Sequence, residues 1–313
     1  MATVTLIYVT SGGEPKEIEF PSDATSINLM DHDIVAIDLT PLQEVPNVHE
    51  LSLSDNPLQT IDLTPLKYLR NLQFFECFGT PLERINLSSL AHCRNLEEVH
   101  IEGEMQELDL APLKHCPKLR RLQIHGQAMQ NIDLTPLQYC PNLEYLNLGG
   151  SIQAVDLTPL RHCPRLEQIY FHEAQLGAVD LTPLRHCPKL EKLYLHKNRL
   201  ATIDLTPLRH CPMLKELFII ESGLTEINLL PLQHCPNLHR LYLTRNQLTS
   251  IDLSPLKHCP KLEAVEMNGN SIQSVDISAL LILPRFKILL LDKGVQVTRE
   301  PTYADRQLPV LFV

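Results

Sequence analysis

The chain has 313 residues, of which 44% are hydrophobic, and a formal net charge of −10 at pH 7. No unbroken apolar run reaches the ~20 residues of a membrane helix, which predicts no membrane span. Nucleic-acid binding depends on clustered Lys and Arg, so the acidic balance predicts no nucleic-acid partner.

The N-terminal segment predicts a β-hairpin. Residues 3–9 and 16–20 alternate apolar and polar side chains around a Ser-Gly-Gly-Glu-Pro turn. Such alternation around a turn is typical of two antiparallel strands. We assign residues 1–25 to an N-terminal cap that shields the first coil. Residues 1–8 lack the basic start and cleavage site of a secretory signal, which favours a cytoplasmic protein.

Residues 26–292 repeat with a nearly constant period. An Asp or Asn follows an aliphatic residue in each of eleven units, at Asp38, Asp62, Asn86, Asp109, Asp133, Asp156, Asp180, Asp204, Asn228, Asp252 and Asp276. Every spacing is 24 residues except two of 23, which end at Asp109 and Asp156. A Leu-rich period of this length predicts a solenoid of about 11 to 12 coils, each with a short strand and a helical turn.

One repeat illustrates how a coil is built. Leu193 and Leu195 are expected to point into the core, because neighbouring strand residues alternate between the two faces. Thr206 is expected to cap a helical turn, and Pro207 suits its first position. Pro212 is expected to end that turn.

The repeat resembles the leucine-rich-repeat family. From Leu190 it reads LxxLxLxxNxL, and the cysteine before each strand is similar to the pattern of bacterial classes. The resemblance implies an α/β fold, a horseshoe-shaped solenoid. A parallel sheet would line its concave face, and short helical or 3₁₀ turns its convex side.

The asparagine of that motif is present in only four repeats. In the family it hydrogen-bonds the backbone of the turn after each strand, and here it is found at Asn56, Asn198, Asn246 and Asn270. Other residues take its place at His32, Thr80, Gln127, Ala174 and Ser222. We therefore expect a less uniform turn in the N-terminal half.

The period ends after residues 289–291. We assign residues 293–313 to a C-terminal cap or tail. The tail ends in Leu-Pro-Val-Leu-Phe-Val, and so apolar a segment is expected to fold back on the last coil.

Eight of the nine cysteines share one repeat position: Cys93, Cys116, Cys140, Cys163, Cys187, Cys211, Cys235 and Cys259. Val45, Leu69 and Leu283 hold the same position elsewhere, which predicts a core site that a free cysteine fills as a small hydrophobe. Stacked thiols about 5 Å apart would be prone to oxidation outside the cell, which again favours a reducing compartment.

Two other columns could suggest chemistry. A histidine often precedes the cysteine, but neighbouring side chains on a helical turn point ~100° apart, so we predict no metal site and no cofactor. The Asp column is expected to accept backbone N–H groups at the start of each turn.

The outward strand positions predict a binding face. The predicted partner-binding residues are Tyr145, Tyr170, His172, Tyr194, His196, Phe218, Ile220 and Tyr242. A contiguous row of exposed aromatic side chains is typical of an interface core. Aromatic pairs on adjacent strands also stabilise a sheet by themselves, so a structural stack is the alternative. The N-terminal part of this face is acidic.

These patterns favour a non-catalytic scaffold that binds another protein or a peptide, or that self-associates through the aromatic row. An extracellular adhesin or glycan-binding module is the alternative, since aromatic rows also suit sugar rings. A metal-assisted hydrolase could be built from His125, His172 and His196. Those residues are not on consecutive strands and no Ser-His-Asp arrangement accompanies them, so we predict that the protein is not an enzyme.

Overall fold

A computed structural model describes residues 2–303 and 310–313. The chain forms two compact units, Met1–Ile152 and Gln153–Val313. The strands of the first unit are β1 (Thr3–Thr10), β2 (Pro15–Pro21), β3 (Ser26–Asn28), β4 (Ile34–Asp38), β5 (Glu50–Ser52), β6 (Thr60–Ile61), β7 (Phe74–Leu82), β8 (Arg84–Ile85), β9 (Glu98–Gly103), β10 (Arg121–Gly126) and β11 (Tyr145–Gly150). Those of the second are β12 (Gln168–His172), β13 (Lys192–His196), β14 (Glu216–Phe218), β15 (Arg240–Tyr242), β16 (Ala264–Glu266), β17 (Ser274–Asp276), β18 (Ile288–Leu291), β19 (Gln296–Thr298) and β20 (Val310–Phe312).

A 3₁₀ turn lies between successive strands of the main sheets. In the first unit these turns are Thr40–Glu44, Thr64–Tyr68, Ser88–His92, Ala111–His115 and Thr135–Tyr139. In the second they are Thr158–His162, Thr182–His186, Thr206–His210, Leu230–His234 and Ser254–His258, with Pro301–Tyr303 near the end. One α-helical turn, α1 (Ser278–Leu281), replaces the 3₁₀ turn of the last coil.

The main sheet of the first unit is parallel, with the order β3-β5-β7-β9-β10-β11 within the described residues. Its register sets equivalent repeat positions side by side, as with Val99, Leu122 and Leu146. Those three side chains are fully buried, so each strand contributes one side chain to this row of the core. The opposite, solvent-facing side is the outer face of the sheet.

The N-terminal hairpin is not added to this sheet. β1 pairs antiparallel with β2 and, on its other edge, antiparallel with β4. Val4, Leu6 and Tyr8 alternate toward the interior and are buried. The hairpin thus covers the first coil on the side of β4. The division at residues 1–25, 26–292 and 293–313 stays a prediction.

The second unit has a parallel sheet with the order β12-β13-β14-β15-β16-β18-β20 in its described part. β20 pairs with β18, which joins the end of the chain to the last coil. Leu311, Phe312 and Val313 nevertheless remain exposed. Leu308 and Pro309 of the predicted apolar tail lie outside the described residues.

An aspartate or asparagine accepts a backbone N–H at the start of the repeat 3₁₀ turns, as predicted for the Asp column, whereas the predicted threonine cap is wrong. The backbone N–H of Thr206 donates to Asp204 Oδ1 at 2.8 Å, and no side chain caps from the residue between them, Leu205. The Thr206 hydroxyl bonds the same carboxyl group and lowers the pKa of Asp204, with help from that backbone bond. Threonine therefore supports the aspartate, because its hydroxyl is already donated to the carboxylate.

The cysteine column is part of the core. All nine cysteines are free and buried. Thiols of the column approach a carbonyl oxygen of the preceding coil, as Cys211 Sγ does with Leu184 O at 3.4 Å and Cys235 Sγ with Leu208 O at 3.4 Å. Burial raises the pKa of Cys211 to about 12. The seven histidines that precede column cysteines are exposed, as expected.

Buried asparagines bind the turns that follow the strands. Asn246 Nδ2 donates to the carbonyl oxygens of Ile219 and Leu243, and its Oδ1 accepts the N–H groups of Ser222 and Leu224. Where the asparagine is replaced by Ser222, the hydroxyl donates to Leu195 O at 2.5 Å, the equivalent carbonyl. Serine therefore keeps one contact of the asparagine motif.

Candidate functional site

The outer face of the second sheet carries the aromatic row that the sequence predicts. Tyr170, Tyr194, Phe218 and Tyr242 are directly opposite one another on β12 to β15, and we call them the aromatic stripe. Each is half-buried, because neighbouring rings cover part of it. The parallel register at a 24-residue period produces this alignment.

The rings of the stripe stack on one another. Tyr194 and Phe218 are nearly parallel at 13°, with ring centroids 4.3 Å apart, and Phe218 and Tyr242 repeat this at 12° and 4.2 Å. Tyr170 meets Tyr194 edge-on, at 82° and 4.7 Å. Neighbours cover the faces of the central rings, so their edges are directed toward solvent. Such pairs contribute about 0.5–1.5 kcal/mol each beyond the area they bury.

Charged and polar groups fix the stripe from one side. The Tyr194 hydroxyl donates to Glu216, and the Tyr170 hydroxyl donates to Gln168 Oε1 at 2.6 Å. Glu216 also pairs with Arg240 at 3.1 Å and with Lys192 at 3.8 Å. Burial, and then the Glu216 carboxylate, raise the pKa of Tyr194. The hydroxyl therefore stays protonated and holds its ring in place.

Two histidines extend the site toward the ends of the strands. His172 and His196 stack at 16° with ring centroids 5.1 Å apart, next to Tyr170 and Tyr194. Burial, and then the neighbouring His172, lower the pKa of His196 to about 4. His196 is therefore neutral at physiological pH. Ile220, the next residue of this column, is half-buried.

The structure brings together seven of the eight predicted site residues in the second unit. The eighth, Tyr145, is on β11 of the first unit. The Arg121 guanidinium lies over its ring, 4.2 Å from the centroid. That arrangement is a cation–π contact on the outer face of the first sheet.

A rim of left-handed residues follows the strands of the second unit. Glu173, Lys197, Glu221 and Arg245 have φ between +51° and +55°, and Gly269 continues the column at +74°. Lys197 pairs with Glu173, and Arg245 with Glu221. Non-glycine residues in this conformation cost about 1 kcal/mol or more each. The positive φ of these positions has no signal in the sequence, because residues such as lysine seldom adopt it.

The first unit presents a different outer face. Its central positions form a polar row of Asn28, Ser52, Glu76, His100, Gln123 and Asn147, side by side across the sheet. His100 Nδ1 is 3.2 Å from Glu76 Oε1, and Arg121 Nε is 3.5 Å from Glu98 Oε2. Contacts to Arg121 and to the His100 imidazole therefore tie together part of the predicted acidic face.

The hydrolase alternative requires three imidazoles around one metal ion. His125 is on β10 in the first unit, whereas His172 and His196 are in the second. The latter two face each other ring to ring, so their π faces rather than their nitrogen lone pairs are opposed. Among residues 2–303 and 310–313, no three His, Cys, Asp or Glu side chains are grouped as metal ligands.

Three family profiles match the sequence, all of them leucine-rich repeats. They are described as leucine rich repeat (residues 188–248), as two leucine rich repeats (residues 236–281) and as the repeats of an FBD-associated F-box protein (residues 58–202). The chain belongs to the leucine-rich-repeat family. The predicted repeat and its buried cysteine column are confirmed. No curated protein matches in sequence.

Solved structures of the same fold come from diverse organisms. An internalin (inlF) of Listeria monocytogenes has a TM-score of 0.63 at 22% identity, with 92% of this chain and 86% of that chain covered. A leucine-rich-repeat protein of Leptospira interrogans has a TM-score of 0.55 at 17%, covering 88% and 81%. A plant peptide hormone receptor, RGFR1 in complex with RGF2, has a TM-score of 0.64 at 19%, covering 94% and 52%.

These likenesses, with the parallel sheets and 3₁₀ turns of both units, confirm the predicted fold class, an α/β leucine-rich-repeat solenoid. Within the described residues, no helix has the length and apolar character needed to cross a bilayer.

Proposed function

We propose that this leucine-rich-repeat protein is a non-catalytic scaffold that binds a protein or an extended peptide through the aromatic stripe. The observation that carries the proposal is the row of four half-buried aromatic side chains on consecutive strands. Tyr and other aromatic residues are enriched in the parts of interfaces that dominate affinity. The plant receptor of the same fold, which is in complex with RGF2, supports a peptide ligand by analogy.

The stacking makes the stripe a pre-organised surface. Binding costs about 0.5–1.5 kcal/mol for each flexible side chain that it immobilises. Here Tyr194 is already held by Phe218 on one side and by Glu216 through its hydroxyl. A partner would therefore lose less affinity to side-chain ordering than it would on a surface of free tyrosines.

The orientation of the rings favours a peptide over a sugar. Sugar rings bind aromatic side chains across the ring face, and the faces of Tyr194 and Phe218 are covered by neighbouring rings. Exposed ring edges carry partial positive charge, and they suit carbonyl oxygens and aliphatic side chains. The glycan-binding alternative is therefore not favoured.

A cytoplasmic location is part of the proposal. In the folded protein the column thiols are buried and protonated, so they resist oxidation and the fold itself does not require a reducing compartment. The unfolded chain is the vulnerable state, because its nine thiols are exposed during folding and a reducing compartment would protect them. The test is to refold the protein with and without reductant and to measure how much native protein with free thiols is recovered. Equal recovery under both conditions would contradict the proposal.

A peptide-display selection against the purified protein tests the binding face. Affinity for a selected peptide is then measured for Tyr194→Ala, Phe218→Leu and Tyr242→Ala, each checked for folding by circular dichroism. Tyr68→Ala and Tyr139→Ala are the matched controls, because both tyrosines are exposed on 3₁₀ turns of the first unit.

We expect Tyr194→Ala or Tyr242→Ala to weaken binding by about tenfold or more, as hot-spot residues do, with the controls unchanged. Phe218→Leu keeps an apolar side chain but removes the ring, so an intermediate loss of affinity is expected. Equal affinity of the wild type and all three stripe variants would show that the stack is purely structural. Equal losses in the controls would contradict the proposed face.

A further inference from the structure

The outer face of the first sheet carries an excess of negative charge. The outward positions of β3, β5, β7, β9, β10 and β11 hold four carboxylates, Glu50, Glu76, Glu98 and Glu102, and one guanidinium, Arg121. With histidine neutral, this face has a net charge of −3. The equivalent positions of β12 to β16 hold two cations and two carboxylates and are balanced.

Groups within the first unit leave most of this charge uncompensated. Arg121 pairs with Glu98 and covers Tyr145. Glu50 accepts the Ser26 hydroxyl at 3.1 Å, and Glu102 accepts the N–H of Gly79 at 3.2 Å. In the described part of the chain, no Lys or Arg nitrogen lies within 4.0 Å of Glu50, Glu76 or Glu102.

An unsatisfied hydroxyl points into the same face. Ser52 alternates with Leu51 and Leu53, which are fully buried in the core, so its side chain is directed outward, opposite Asn28 and Glu76. Ser52 is only 5% exposed, and its hydroxyl has no hydrogen-bond partner among the described residues. Burying a hydroxyl without a partner costs about 1–3 kcal/mol. That cost is recovered when a ligand supplies the missing partner.

A second unpaired atom lies on the same row. His100 Nε2 is buried and has no hydrogen-bond partner in the described residues. The Glu98 Oε2 atom is 3.6 Å away, which is longer than a hydrogen bond. The outer face of the first sheet therefore combines carboxylates that no Lys or Arg neutralises with two buried polar atoms that lack partners.

We propose that this face, from β5 to β9, binds an extended peptide segment rich in Lys or Arg. Basic side chains would pair with Glu50, Glu76 and Glu102, and the Ser52 hydroxyl, on the strand next to Glu76, would donate to a peptide carbonyl. Three adjacent strands span about 10 Å, which matches a few residues of extended peptide. The inference goes beyond the aromatic stripe, because it concerns another unit and a partner selected by charge.

Fluorescence anisotropy with a dye-labelled oligolysine tests the proposal. The Glu50→Gln/Glu76→Gln variant is expected to bind about tenfold more weakly than the wild type. Glu17→Gln/Glu19→Gln is the matched control, since it removes the same charge from the exposed strand β2 of the same unit, and less than about a twofold change is expected. Equal losses in both variants would mean general attraction to an acidic protein and would overturn the proposal, as would no binding by the wild type.

Ser52→Ala separates a ligand contact from a structural role. Because the hydroxyl has no partner, its removal is expected to leave the thermal stability unchanged or higher, while weakening oligolysine binding several-fold. Lower stability with unchanged binding would overturn the assignment of Ser52. Phe218→Leu is expected to bind oligolysine like the wild type, because the aromatic stripe is not part of this face. The oligolysine assay therefore tests the acidic face independently of the binding proposed for the aromatic stripe.

Discussion

Removal of the Asn246 side chain should destabilise the second unit strongly. Asn246 is 7% exposed, and its Oδ1 accepts the N–H groups of Ser222 at 3.0 Å and Leu224 at 3.1 Å. Ser222 and Leu224 are fully buried, so water cannot replace the lost acceptor. Each unsatisfied buried donor costs about 1–3 kcal/mol, so the two donors give about 2–6 kcal/mol for Asn246→Ala.

Urea unfolding followed by circular dichroism measures this loss, and hydrogen exchange localises it to the amides of Ser222 and Leu224. Asn246→Ser should recover part of the stability, because Ser222 already fills the equivalent position one repeat earlier. Asn237→Ala is the control, since that half-exposed side chain donates to the Pro212 carbonyl, where water can substitute. An Asn246→Ala loss no larger than that of the control would refute the reasoning.

Three further predictions follow from the core and the turns. The pKa of His196 is lowered in the folded state, so below pH 6.5 the unfolded chain takes up a proton that the folded protein does not. The free energy of unfolding should therefore decrease as the pH falls from 6.5 toward 4. After allowance for partial exposure we expect a decrease of about 1–2 kcal/mol in the wild type that is absent from His196→Gln. Identical stability profiles of the two proteins against pH would contradict this prediction. Cys211→Val should lower the free energy of unfolding in denaturant by less than about 1.5 kcal/mol, because Val45 fills the same repeat position. Cys211→Ser should lower it more, because it buries a hydroxyl. The reverse order would contradict a purely structural role of the cysteine column. Gly269→Ala should lower the melting temperature more than Gly223→Ala. Both glycines have positive φ, but of the two only Gly269 would bring its Cβ against backbone atoms, those of Arg245 at 3.0 Å. Equal losses would mean that the positive φ alone determines the loss of stability.

The coil could be predicted from the sequence because its period fixes which residues share a row. The burial of Leu193 and Leu195 follows from strand alternation, and that of Cys211 follows from the aliphatic residues at equivalent sites. The cap was assigned to the wrong residue. The Asp column was expected to accept backbone N–H groups and Asp204 does so, but the side chain of Thr206 was wrongly given the cap of the same turn.

The candidate site could be predicted only as a set of residues. The sequence aligns Tyr194 with Phe218, but side-chain torsions decide whether the rings present faces or edges, and those depend on neighbours such as Glu216. The unpaired hydroxyl of Ser52 also has no sequence signal, since serine at an outward position is usually solvated.

The most direct test of the binding face is hydroxyl-radical footprinting with a selected peptide bound. Aromatic side chains react readily, and mass spectrometry reads each of them separately. Our account predicts protection of Tyr194, Phe218 and Tyr242 on addition of the peptide, with Tyr68 and Tyr139 unchanged. Unchanged reactivity of the stripe, with protection elsewhere on the protein, would contradict the claim that the stripe is the binding face.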